Sequence, residues 1–128
     1  MTSLLKAAFD ITERQDHLHV ELEPGFEMSL DAMSLLWCRV STACERTGLT
    51  RILVEGEQPT REMRRLQVLA HGRMVAAMQP EGLRIAFCLV GYEPDFLTYF
   101  FTLVANGTTH LTRFFTDREV ALAWLKRA

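Results

Sequence analysis

The sequence predicts an α/β domain built on a mostly parallel sheet, and three observations predict it. The segment Leu83-Arg-Ile-Ala-Phe-Cys-Leu-Val-Gly91 is apolar on both faces of a strand: Leu83, Ile85, Phe87 and Leu89 point one way, Ala86, Cys88 and Val90 the other. Side chains alternate across a strand, so such a run needs cover on both sides, as strands of parallel sheets do. Helix-period segments flank it, at about 60–78 and 95–105. From the N-terminal hairpin onward, strand and helix periods alternate, which is the pattern of βαβ units.

The elements follow in order. Ala7, Phe9 and Ile11 alternate with Asp10 and Thr12. After a turn at Gln15-Asp16, Leu18, Val20 and Leu22 alternate with His17, His19, Glu21 and Glu23. Two such runs joined closely read as an antiparallel hairpin with one wet face, closed by Pro24-Gly25. Ser29 is placed to cap a first helix, with Asp31 in its first turn. Leu30, Met33, Trp37, Val40 and Cys44 form its apolar stripe, and Gly48 stops it. Residues 51–56 form a short strand, and the loop to Thr60 leads into a second helix. Its expected core stripe is Met63, Leu66, Ala70, Met74 and Ala77, with Arg61, Arg64, Arg65, Val68, Gly72 and Val75 on the opposite face. The turn at Pro80-Glu-Gly82 precedes the strand described first, which should lie centrally. Tyr92-Glu-Pro-Asp95 begins a third helix, apolar nearly all round, with only Thr98, Thr102 and Ala105 marking a weakly polar side. Residues 110–115 form the last strand. Thr116 or Asp117 caps a final helix that buries Val120, Ala121, Trp124 and Leu125. The expected order is ββαβαβαβα, a mixed five-stranded sheet with four helices and three right-handed crossovers.

Composition bounds the function. The 128 residues suit one domain spanning 1–128, 48% of them apolar. A formal charge of −2 gives no basic face for nucleic acid. No apolar stretch approaches the roughly 20 residues of a membrane span. The first residues lack a basic segment followed by a long apolar core, so a cytoplasmic chain is expected. Cys38, Cys44 and Cys88 have no metal-ligand spacing and suit reduced thiols, with Cys38 off the helix stripe and more exposed than Cys44. No Gly-rich phosphate loop, nucleophile motif or cofactor signature is present, so neither a cofactor nor a metal is expected.

The element order, with the ending Phe114-Phe-Thr-Asp-Arg-Glu-Val-Ala-Leu-Ala-Trp-Leu125, resembles the SpoIIAA-like family of small bacterial proteins. That family belongs to the STAS superfamily of anti-sigma-factor antagonists and sulfate-transporter tails, and its fold is compared with the CRAL-TRIO lipid-binding domain. The resemblance implies a mixed sheet with an N-terminal hairpin, four helices, and frequent homodimers. Anti-sigma antagonists carry a phosphorylated serine in an Asp-Ser-Ser-Gly-like motif at a helix N-terminus. The matching stretch, Glu55-Gly-Glu-Gln-Pro-Thr-Arg61, lacks that motif, and only Thr60 could stand in for the serine.

Candidate sites follow. A phosphate on Thr60 would sit where free helix amides favour anions, with Arg61 and Arg64 beside it, although an N-cap alone explains a threonine there. Glu55, Glu57, Glu93, Asp95 and Asp117 follow strand ends, the ligand-binding edge of α/β sheets, but acidic residues also favour helix starts. His17 and His19 with Glu21 and Glu23 could hold zinc, or simply form the wet face of an edge strand. Val68, Gly72 and Val75, bordered by Arg61, Arg64 and Arg65, could form a dimer seam. Phe96, Tyr99, Phe100, Phe101 and Leu103 could line an apolar pocket or a contact surface, or be plain core. The expected function is a non-enzymatic protein-interaction or regulatory module, a homodimer or partner of another protein. The alternative is a small carrier or sensor of a lipid-like ligand.

Overall fold

The computed structural model describes residues 8–57, 60–61, 64–93, 95–107 and 109–127, with backbone alone at 60–61 and 96–97. In chain order the elements are β1 (Phe9–Glu13), β2 (Leu18–Leu22), β3 (Glu27–Met28), α1 (Leu30–Thr47), β4 (Arg51–Glu57) and β5 (Thr60–Arg61). There follow α2 (Arg65–Ala76), β6 (Arg84–Val90), α3 (Phe96–Asn106), β7 (Leu111–Phe115) and α4 (Arg118–Lys126). Five strands make one sheet in the order β1-β2-β4-β6-β7. Only β1–β2 is antiparallel; β2–β4, β4–β6 and β6–β7 are parallel. The expected fold class is therefore the observed one, and β6 has a neighbour on each side. The two-residue strands β3 and β5 pair separately and were not foreseen.

Alternation sets the two faces. Leu18, Val20, Ile52, Val54, Leu83, Ile85, Phe87 and Leu89 share one core with residues of α1, α2 and α3. Leu53, Ala86, Cys88 and Phe115 form a second core with Ala121, Trp124 and Leu125 of α4. All three crossover helices thus lie on one face, as a constant hand of connection requires. The fourth covers the other face only over β4, β6 and β7. Beyond its reach, Asp10, Thr12 and Glu21 stand exposed on β1–β2, with Asp10 directly opposite Glu21.

Helix ends follow the expected chemistry. The Ser29 hydroxyl accepts the Ala32 N–H at 3.2 Å, and Gly48, at φ 77°, turns the chain out of α1 with its N–H on Cys44 C=O. The Asp117 carboxylate accepts the Glu119 and Val120 N–H groups at 2.8 and 3.2 Å to start α4. The far end of α4 is held by Arg84, whose guanidinium lies 4.2 Å from the Trp124 ring centre and donates to the Trp124 carbonyl at 3.0 Å.

Two helices sit with the opposite phase to the one expected. Val68, His71, Gly72 and Val75 are the buried residues of α2, while Leu66 is 79% exposed and Ala70 and Ala77 are exposed. In α3, Thr98, Phe101 and Ala105 face inward, while Tyr99 and Leu103 are 64% and 59% exposed. The cause is a flush seam. A Cβ added to Gly72 would lie 2.8 Å from Val104 Cβ, and one added to Gly107 would lie 3.3 Å from Ala76 Cβ. Where the helices touch, at Gly72 and Gly107, only a small residue fits, and this contact turns Val68, His71 and Val75 of α2 and Phe101 of α3 inward and Leu66, Tyr99 and Leu103 outward. Polar neighbours in the interior are satisfied: the Trp37 indole N–H donates to His71 Nε2 at 2.7 Å. His71 lies 4.6 Å from the Phe101 ring.

Candidate functional site

Three places collect chemistry: a polar cluster under α4, a groove at the end of the sheet, and the outer face of α2 and α3. The first grows from register. Glu55 of β4 lies beside Glu21 of β2 on one side and Cys88 of β6 on the other. His19 precedes it on β2 and is buried, because β2 is an inner strand and not the edge expected from its wet face. His19 Nε2–H donates to Glu55 Oε1 at 2.6 Å, and Arg14 donates to His19 Nδ1 at 3.4 Å. The other Glu55 oxygen lies 3.5 Å from Arg118 Nε. Both carboxylate oxygens are thus engaged, and the cluster ties β2, β4 and α4 together as a brace. Burial, then Glu55 and Asp117, push the thiol of Cys88 beside it above the ordinary range, which disfavours the nucleophilic thiolate. Burial likewise raises Cys44 to about 11, whereas Cys38 is exposed as expected.

Among the described residues, the other carboxylates and histidines named from the sequence have separate partners or face solvent. Asp95 caps α3, accepting the Thr98 N–H at 2.8 Å, and Asp117 caps α4. Glu57 and Glu93 are exposed. His17 turns to Asp16, 2.8 Å away, and that bond holds the Asp16 carboxyl below its ordinary range. Glu21 is exposed and Glu23 half-buried. Among the described residues no group of three or more His, Cys, Asp or Glu is arranged for a metal ion.

The groove, about 410 Å³, lies at the C-terminal end of β6 and β7. Tyr92, Phe114, Phe115, Thr116, Asp117 and Val120 line it. Its floor continues an aromatic stack from Tyr92 to Phe114 (5.1 Å) and on to Phe87 (4.6 Å). Val120 was expected in the core; it is 53% exposed on the groove's rim, since Ala121, Trp124 and Leu125 already fill the space under α4.

The remaining expectations fall on α2, α3 and the loop before them. Thr60 lies on β5, paired with Glu27, and α2 starts only at Arg65 with Arg64 as its N-cap residue. Thr60 is therefore not at a helix N-terminus, and its side chain, like that of Arg61, lies outside the described residues. Arg64 and Arg65 are exposed, but Val68, Gly72 and Val75 are interior, so the expected dimer seam is instead the contact between α2 and α3 of one chain. Phe101 is core, Phe100 half-buried, and Tyr99 and Leu103 outward; the Phe96 side chain lies outside the described residues.

Sequence reasoning named Tyr99 and Leu103 of α3 as a possible contact surface, but it placed Leu66, Ala70 and Ala77 in the core and passed over Arg73, so it missed the α2 side of this outer face. One signal was available. A glycine inside a helix costs about 1 kcal/mol against alanine, so Gly72 in mid-helix points to close packing on its own side. No described helix is long and apolar enough to cross a membrane. In comparisons with known proteins, no family model and no curated protein matches the chain.

Proposed function

We propose that this protein is a non-enzymatic interaction module of the STAS-like kind its sequence resembles, acting by docking its α2–α3 face onto a protein. One observation carries the reading: two adjacent helices, already packed on the core through Val68, His71, Val75 and Phe101, still leave Leu66, Tyr99 and Leu103 largely exposed on their outer side. Exposed apolar side chains gathered on one face suit contact with another surface. The engaged oxygens of Glu55 and the protonated thiol of Cys88 support a structural role for the other polar cluster. Three unpaired cysteines fit a reducing, cytoplasmic setting. The family resemblance alone would name a second copy as the partner, whereas the charge of this face favours an unlike protein.

The test is native mass measurement of the chain drawn gently from its own cells, beside Leu103→Ser. An assembly heavier than the bare chain, lost in the variant, supports the module. A bare monomer for both sinks it. The second reading, a carrier of a small apolar ligand, rests on the groove at Tyr92 and Phe114. Ligand pockets bury most of their occupant, and a rim more than half exposed at Val120 does not. A non-covalent mass lost on denaturation would favour the carrier.

A further inference from the structure

We infer that the α2–α3 face seats an amphipathic helix of a partner protein whose apolar side is bordered by carboxylates. This rests on the docking-module reading and names the partner's chemistry.

Shape comes first. The contacts of Gly72 with Val104 and of Gly107 with Ala76 set α2 and α3 side by side in the same direction. Residues 66, 70, 73 and 77 recur at helical spacing on the outer side of α2, and 99 and 103 do so on α3. The seam sets the Arg73 turn of α2 level with the Leu103 turn of α3. Two flush helices leave a shallow trough between their ridges, and a third helix packs into such a trough by its own apolar stripe.

Charge then selects the occupant. Neither helix contains an Asp or Glu, and α3 carries no charge at all. Arg73 is exposed amid the apolar surface, and Arg64 is exposed at the N-terminal end of α2. Among the described residues, neither pairs with a carboxylate. A second copy docked through this face by a two-fold axis would bring like charges together, which opposes association. An anionic membrane surface is served by clusters of about 4–8 basic residues; among the described residues α2 exposes three, Arg64, Arg65 and Arg73, spread over its length, and α3 has none. A helix with leucines along one side and glutamates on its border meets both demands.

The probe is a synthetic helical peptide with leucines at i, i+3, i+4 and i+7 flanked by glutamates. Its counterpart has lysines at the flanks. Binding is read by anisotropy of the labelled peptides and by amide shift changes in the full chain. The glutamate peptide should bind at least about tenfold more tightly than the lysine peptide, with shifts confined to 65–77 and 96–106. Arg73→Glu should reverse that order, and Leu103→Ser should weaken both peptides. Both sites are exposed, so unchanged melting confirms that the variants fold. Equal binding of the two peptides, binding of neither, or shifts elsewhere would overturn the proposal. So would a dimer of the chain alone that Leu103→Ser dissolves, which gives the face to a second copy. Capture by phosphatidylglycerol vesicles, lost in the same variant, would give it to lipid. If the peptides fail while Leu103→Ser still frees the chain from its native assembly, the partner chemistry is wrong and the module stands. If neither responds, both fall.

Discussion

His71 is a titratable ring kept neutral in the core. Burial lowers its pKa from 6.5 to about 4. Its Nε2 accepts the Trp37 indole N–H, so a proton there would set donor against donor. The unfolded chain binds this proton near pH 6.5 and the folded chain only near 4. Stability from the neutral ring is therefore complete above pH 6.5 and is lost as pH falls through that window, by about 3 kcal/mol in all. Urea unfolding at pH 7 and at pH 4.5 measures the loss. In His71→Gln the fall between these two values should flatten, although the variant starts from lower stability. An equal fall in both proteins would acquit His71. A second histidine shows the same economy of satisfied polar groups. The Leu83 N–H donates to His110 Nδ1, and His110 Nε2–H donates to the Met78 carbonyl, both at 3.0 Å, which pins the turn before β6 to the start of β7.

At the scale of elements, α2 and α3 separate what a sequence states from what it conceals. The five strands of the main sheet and α1 were legible, because period and bulk agree there: Met33, Trp37, Val40 and Cys44 fall on one stripe and are buried. In α2 two stripes compete, Leu66-Ala70-Met74-Ala77 and Val68-Gly72-Val75, and apolar mass favours the wrong one. Only the depth of the neighbouring helix decides, and that is tertiary information. A pair of substitutions tests the phase: Val68→Asp should unfold the chain, whereas Leu66→Asp should change stability by no more than about 0.5 kcal/mol by chemical denaturation. The seam has its own test. Gly72→Ala gains about 1 kcal/mol of helix propensity but drives a methyl into Val104, at a cost of about 1–3 kcal/mol. A net loss is expected, and Val104→Ala in the same chain should turn it into a gain. Additive effects in that cycle would mean the seam is looser than described. The candidate site was half legible: the apolar surplus of α3 named Tyr99 and Leu103 as a possible contact surface, whereas Leu66, Ala70 and Ala77 look like core until the true core is known.

Across the whole molecule, cover is uneven. Three helices bury one face, and one nine-residue helix buries most of the other. Its hold depends on Trp124, packed 5.6 Å from Phe115 and under Arg84. Trp124→Ala should cost about 3–5 kcal/mol in urea unfolding. It should also raise binding of an apolar fluorescent dye as Leu53 and Ala86 lose their roof. A cost below about 1 kcal/mol would show that the sheet holds without α4.

Uneven cover also shapes how copies of the chain meet in a crowded solution. The strip left open on β1 and β2 sets Asp10 against Glu21, a pairing that slightly penalises the hairpin itself. The same carboxylates repel any second copy that approaches strip to strip, while the opposite side of the sheet carries the apolar and arginine-bearing helices. Collisions are thus graded by orientation: one side of the protein turns its own kind away, the other stays open to an unlike surface. Added salt erodes the first effect before the second, so the colloidal stability of this protein should be more fragile to ionic strength than its fold.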